Sequence, residues 1–283
     1  MRYNTSMVKN VLALFILLLS SAESSQISVK FTPESIFPGD AFFIEVRSED
    51  TPSGIFDGRR MDFYRASENI YYGVSFVRLD MEPGEYHVFI FAGGHSLRQR
   101  IRVDKKTFPI QRISLPPEKV FLSPEDEERV RNENMRVAEI LSRVTERLWD
   151  GMFTRPLDTS ISVPFGVVRI INEKKRSVHR GVDYRAVEGG PVRAINSGEV
   201  VLKDELFFGG KTIILNHGGG IYSLYMHLSQ FLVEEGQMVK KGDVIGLAGS
   251  TGRATGPHLH LHLKMYGMDV NPESIFILPL FRD

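Results

Sequence analysis

Gly256-Pro257-His258-Leu259-His260-Leu261-His262-Leu263 is the stretch on which the reading of this chain turns. Histidine and leucine alternate strictly, and a period of two marks a β-strand with one buried face. The three leucines then point into a core, and the three histidines share the opposite face and line a cleft. A single histidine on such a face is usually structural. Three alternating ones beside a glycine-rich loop read as a metal or catalytic site. Six of the eight histidines, at 179, 217, 227, 258, 260 and 262, follow residue 178.

Upstream lies His179-Arg180-Gly181-Val182-Asp183-Tyr184. In an extended strand residues 179, 181 and 183 share a face, with Gly181 leaving room between two polar side chains. A straight strand would hold the outer two Cα atoms about 13 Å apart, near the limit for sharing one ion. A bend is therefore expected, and Gly181 permits it.

Around these motifs the chain reads as mainly β. Candidate strands cover residues 192–201, 212–215, 221–226, 244–247 and 258–265, so residues 153–283 are expected to form an all-β domain of antiparallel sheets. Residues 26–105 alternate short apolar runs with turns such as Pro38-Gly39-Asp40 and Glu82-Pro83-Gly84, the pattern of a small β-sandwich. Residues 106–152 are read as linker and helix. Pro109, Pro116 and Pro117 mark the linker, Ser123-Pro124-Glu125-Asp126 caps a helix, and Val130, Val137, Leu141, Val144 and Leu148 give it an apolar stripe. Gly151 is the expected stop.

At the start, Arg2 and Lys9 flank an apolar run over residues 11–19, followed by Ser20, Ser21 and Ala22. This is the pattern of a secretory signal peptide over residues 1–25, too short to span a bilayer. Its cleavage would leave no membrane anchor. With no cysteine in 283 residues, neither a cysteine-linked lipid nor a disulfide is available. Formal net charge is zero, which gives no electrostatic case for nucleic acid.

His179-x-x-x-Asp183 followed by His258-x-His260 resembles the lysostaphin/LytM-type zinc metallopeptidases of bacterial peptidoglycan. The resemblance continues through Tyr225-Met226-His227-Leu228-Ser229, Gly242-Asp243-x-Ile245-Gly246 and Gly249-Ser250-Thr251-Gly252, over roughly residues 160–275. It implies one Zn2+ per chain held by His179, Asp183 and His260, with His227 and His258 as catalytic histidines. Which of these two is the general base stays open. Such a donor set leaves one coordination position for water, which the ion activates while polarising the scissile carbonyl.

His262 stands where relatives place an acid or amide. It is read either as hydrogen-bonding a ligand or as filling the strand end, and His217 as lying near a turn. Ala254 and Glu173-Lys174 also depart from the family pattern. The front domain resembles, more weakly, the immunoglobulin-like module of some exported peptidases.

The implied function is an exported, most simply periplasmic, endopeptidase cutting cross-linked peptidoglycan stem peptides, in particular D,D-bonds. An extracellular location with pentaglycine bridges is the alternative substrate setting. A non-enzymatic activator of a wall amidase is the competing reading on the same fold. A biotinyl- or lipoyl-type carrier, suggested by Gly236-Gln237-Met238-Val239-Lys240-Lys241-Gly242-Asp243, leaves the histidines unexplained.

Overall fold

The computed structural model describes residues 27–114 and 122–280. The expected signal peptide lies outside the described residues, as does the middle of the linker.

The N-terminal unit contains eight strands: β1 (Ser28–Thr32), β2 (Ala41–Arg47), β3 (Ser53–Phe56), β4 (Arg59–Met61), β5 (Tyr64–Ser67), β6 (Ile70–Phe76), β7 (Gly84–Ala92) and β8 (His95–Val103). They form two four-stranded antiparallel sheets, ordered β1-β2-β6-β5 and β4-β3-β7-β8. Phe42, Ile44, Val46 and Tyr71 from the first sheet meet Phe56, Val88, Ile90 and Ile101 from the second in one core. The other face of β2 and β6 is also covered. Ala41, Phe43, Tyr72 and Phe76 belong to the main core of the C-terminal domain. A sheet buried on both faces has no solvated side, so Ala41-Phe42-Phe43-Ile44 can be apolar without interruption.

The linker is more structured than its prolines suggest. Its residues Ile110–Ile113 form β9, which runs parallel to the later strand Val168–Ile171. The helix α1 (Pro124–Leu141) starts as expected, with the Ser123 side chain accepting from Asp126 N. It ends at Leu141, however, a full ten residues before Gly151. Val144 and Leu148 are therefore not part of a helical stripe. Beyond the helix the chain has no regular secondary structure up to Asp150, with Leu148 and Trp149 both donating to His217 O. Trp149 is buried in an aromatic cluster with Tyr64, Tyr72 and Phe153. That tertiary packing outweighs continuation of the local periodicity. The helix rests on the outer face of the C-terminal sheet, where Val137, Ile140 and Leu141 join Leu202, Ile214, Tyr222 and Leu224.

The C-terminal domain comprises β10 (Ile161–Val163), β11 (Val168–Ile171), β12 (Lys175–Val178), β13 (Val182–Arg185), β14 (Pro191–Arg193), β15 (Gly198–Leu206), β16 (Gly210–Gly218), β17 (Ile221–Phe231), β18 (Met238–Val239), β19 (Val244–Ala248), β20 (His258–Met265) and β21 (Met268–Val270). The run read over residues 192–201 is two strands, β14 and β15, separated by a turn region. Most strands belong to one large antiparallel sheet whose main path is β10-β13-β20-β17-β16-β15-β18. A smaller sheet, β12-β11-β9, stands beside it. One short helix, α2 (Pro272–Ile275), is capped by Asn271 and breaks the all-β expectation. It ties the domains together: Ala41 N donates to Ser274 Oγ at 2.8 Å, and Asn271 Nδ2 donates to Asp40 Oδ1 at 2.8 Å.

Candidate metal centre and active-site cleft

The strand pair β13–β20 builds the centre of the site. Its register sets Asp183 directly opposite His260 and Val182 opposite Leu261. On β20 the leucines 259, 261 and 263 are fully buried in the core beneath the sheet, as their alternation requires. His258 and His260 emerge on the other face into a cleft of about 940 Å³.

The bend between His179 and Asp183 is present, since regular strand structure begins only at Val182. Gly181 matters here for a reason beyond flexibility. A Cβ at this position would stand 2.5 Å from Leu261 O and 2.6 Å from His260 Nε2. The glycine therefore allows two backbones and a histidine ring to meet. His179 itself is pinned by the segment before β11. Its N–H donates to Val167 O, its carbonyl accepts from Gly166 N, and its Nδ1–H donates to Pro164 O at 2.9 Å.

That last bond leaves His179 Nε2 as a bare lone pair. It faces Asp183 Oδ1 at 2.9 Å and His260 Nδ1 at 3.1 Å, and the last two atoms are 2.7 Å apart. Burial works against the Asp183 charge, but a proton shared with His179 or His260 more than offsets it, so its carboxyl sits far below the usual range. Burial also pushes His260 down to about 4, which favours the neutral, ligating form. Three acceptor atoms within 4.8 Å of one another repel unless a cation or proton lies among them. Two imidazole nitrogens and a carboxylate oxygen are a zinc donor set, and ligands of a tetrahedral zinc stand about 3.4 Å apart, close to the spacing here. The residues fit the metal.

His227 and His258 flank this triad, their rings 4.7 Å apart by centroid. His227 Nδ1 hydrogen-bonds Thr251 O, and His258 Nδ1 hydrogen-bonds Gly256 O, each at 2.8 Å. Both rings thus keep Nε2 free. His258 Nε2 comes within 4.0 Å of Asp183 Oδ1. His227 adopts a left-handed backbone, φ 65°, where the pairing of β17 with β20 ends at Met226. This break re-aims its side chain, a strain retained where neighbouring structure enforces it. Desolvation pushes His227 down to about 4, leaving it neutral at ordinary pH. The loop holding its partner Thr251 is tightly docked: Thr251 Oγ1 donates to Leu228 O, and a Cβ on Gly252 would come within 2.3 Å of Gly210 N.

The remaining histidines fall outside the centre. His262 is buried and bonds Asp269 at 2.7 Å, not a member of the triad. Burial opposes the Asp269 charge, but His262 and Lys264 together hold its carboxyl well below the usual range. His217 is fully buried, with Nδ1 on Ser197 O and Nε2 on Ser223 Oγ, and packs edge-on against Phe153. It is a core group.

Three basic residues escaped the sequence reading. Arg169 on β11 reaches Asp183 Oδ2 at 3.3 Å, and Arg185 and Arg253 also line the cleft. Arg169 carried no local signal, because its hairpin was itself unread. Glu173, in the same hairpin's turn, pairs with Arg112 of β9 and leaves the site.

A sheet that presents two histidines and an aspartate at the floor of an open cleft defines a metallopeptidase domain of the lysostaphin/LytM type. Residues 177–272 match the family model described as Peptidase family M23, and this part of the chain is an M23 peptidase domain. It is 43% identical over 117 residues to the DD-carboxypeptidase/endopeptidase Mpg of Neisseria meningitidis serogroup B, covering 41% of this chain and 27% of that protein. It is 41% identical over 98 residues to the Peptidoglycan DD-endopeptidase ShyA of Vibrio cholerae, covering 35% and 23%. The chain thus spans about a quarter of the length of these curated relatives. A Pseudomonas aeruginosa crystal structure described as a peptidase M23 aligns over 85% of this chain and 94% of its own, with TM-score 0.67 and 27% identity. That alignment takes in both domains.

Proposed function

We propose that this protein is a zinc-dependent endopeptidase that hydrolyses D,D-peptide cross-links of bacterial peptidoglycan outside the cytoplasm. The observation that carries the proposal is the convergence of His179 Nε2, Asp183 Oδ1 and His260 Nδ1 on one point in the cleft floor of an M23 domain. The printed activities of the Neisseria and Vibrio relatives support the choice of bond. Action on peptidoglycan requires export, which accords with the signal-like start of the sequence. Among the described residues no helix is long and apolar enough to cross a membrane.

His179, Asp183 and His260 would hold the metal. When bound, zinc supplies Lewis acidity and brings the pKa of water into the neutral range. The chain's own part is proton handling and orientation. Pro164 O fixes the tautomer of His179, and Thr251 O and Gly256 O fix those of His227 and His258. The free Nε2 atoms of His227 and His258 are then placed to accept the proton of the attacking water, hold the developing oxyanion and return a proton to the leaving amine. Neutral His227 suits the accepting role.

The test is incubation of the purified, zinc-loaded protein with defined cross-linked muropeptides, with products identified by mass spectrometry. Cleavage at the D,D-bond that stops with chelator and returns with zinc is expected. Zinc-loaded protein that leaves every cross-link intact would overturn the proposal. Activation of a separate amidase, unaffected by chelator, would instead support the regulator reading.

A further inference from the structure

The cleft around the triad has an uneven charge. Its lining includes three arginines, Arg169, Arg185 and Arg253, and a single carboxylate, Asp183. Asp183 is already engaged by His179, His260 and Arg169. Arg253 forms no ion pair among the described residues. Its guanidinium instead lies 4.1 Å from the ring centroid of Phe208, while its backbone N–H holds Phe208 O. Desolvation, and then the neighbouring charge of Arg169, lower its pKa. Two cations thus line one cleft, one braced on an aromatic face and the other paired with Asp183. An arginine without an ion-pair partner in a cleft that holds two further arginines favours an anionic ligand. Metal loading would add further positive charge to the same floor.

We propose that Arg253 and Arg169 form a carboxylate subsite that reads the residue on the leaving-amine side of the scissile bond. This rests on the peptidase reading above and specifies its substrate class. In D,D-cross-links made through a diamino diacid, the carbon bearing the scissile nitrogen also carries a free carboxylate. The same holds for a terminal D-alanyl-D-alanine. A planar guanidinium matches that group with two parallel hydrogen bonds. Bridges of glycine lack the carboxylate at internal bonds and would be poor substrates. Arg253 is a specificity residue in this proposal, and Arg169 serves both the substrate and Asp183.

The experiment compares a cross-linked muropeptide carrying a free carboxylate at that carbon with its carboxamide, using zinc-loaded wild type and Arg253→Gln. Binding of N-acetyl-D-alanine and its amide to both proteins is measured by calorimetry in parallel. Wild type is expected to favour the carboxylate by about 10- to 100-fold in kcat/KM. Arg253→Gln should bring the ratio close to one with unchanged zinc content. Equal turnover of both substrates by wild type, or a preference that survives Arg253→Gln, overturns the subsite while leaving the peptidase reading intact. If neither substrate is cut, the peptidase reading fails, and the calorimetry decides the subsite: an Arg253-dependent preference for N-acetyl-D-alanine upholds it, and equal binding of the two ligands overturns it.

Discussion

Replacing Gly181 with alanine tests the construction of the metal centre without touching any ligand. Gly181 has no positive φ, so alanine meets no backbone strain there. The obstacle is space alone. The new Cβ would stand 2.5 Å from Leu261 O, about 0.9 Å short of the 3.4 Å at which ordinary contact begins. It would also meet His260 at Nε2 and Cε1, at 2.6 and 2.7 Å. The carbonyl cannot move alone, because Leu261 is paired with Val182 in the ladder that sets Asp183 beside His260. Relief therefore separates β13 from β20 or rotates the His260 ring, and either change opens the triad. Overpacking of this kind costs about 1–3 kcal/mol. For a protein of this size that is about 5 °C in Tm. A displacement near 1 Å at the reacting centre costs about 100-fold in rate. Gly256→Ala is the control. It lies in the same motif beside His258, yet its added Cβ would find nothing within 4 Å. Zinc content after dialysis, calorimetric Tm and muropeptide cleavage should all fall for Gly181→Ala and stay near wild type for Gly256→Ala. Wild-type zinc retention and turnover in Gly181→Ala would refute the reasoning.

Further substitutions separate the roles of the histidines. His260→Ala should lose metal and activity together, whereas His227→Ala should keep its zinc and lose about 100- to 10,000-fold in kcat, as read by elemental analysis and turnover. His217 is buried with a pKa near 4, below its unfolded value of about 6.5, so the unfolded chain takes up its proton first. Its contribution is fully present above pH 6.5 and is lost as pH falls towards 4, about 3 kcal/mol over that window. Urea titrations of wild type and His217→Gln should show a flatter pH dependence in the variant. Trp149 is 2% exposed and joins the two domains, its indole N–H without a hydrogen-bond partner among the described residues. Trp149→Ala should cost about 3–5 kcal/mol of packing. It should also split a single calorimetric transition into two, and an unchanged single transition would show that the aromatic cluster does not couple the domains.

The part of the site that local pattern alone announces is the one that repeats at the period of its own element. His258, His260 and Leu259, Leu261 announce a strand and its two faces without any partner, because strand geometry sends alternate side chains to opposite sides. The helix start at Ser123-Pro124 was equally local, a cap and a first turn. Its end was not. Val144 and Leu148 continue the helical spacing, but Trp149 is drawn into contact with Tyr64 and Tyr72 of the other domain. The linker strand β9 was hidden in the same way, since a parallel pairing with β11 leaves no turn signal in sequence.

The sequence by itself determined a mainly β chain, the two-histidine, one-aspartate motif and the histidines that flank it. The β character follows from residue type and spacing, which short-range geometry converts into faces and turns, and the ligand set and flanking histidines were what the family resemblance implied. Only the tertiary structure decided that His262 and His217 stand apart from the candidate metal centre, each satisfied by its own buried partner. It alone revealed why Gly181 must lack a side chain and why His227 leaves its strand. It also gathered Arg169, Arg185 and Arg253 into one cleft. Such features depend on atoms from distant segments meeting within a few ångströms, and no period along the chain encodes that distance.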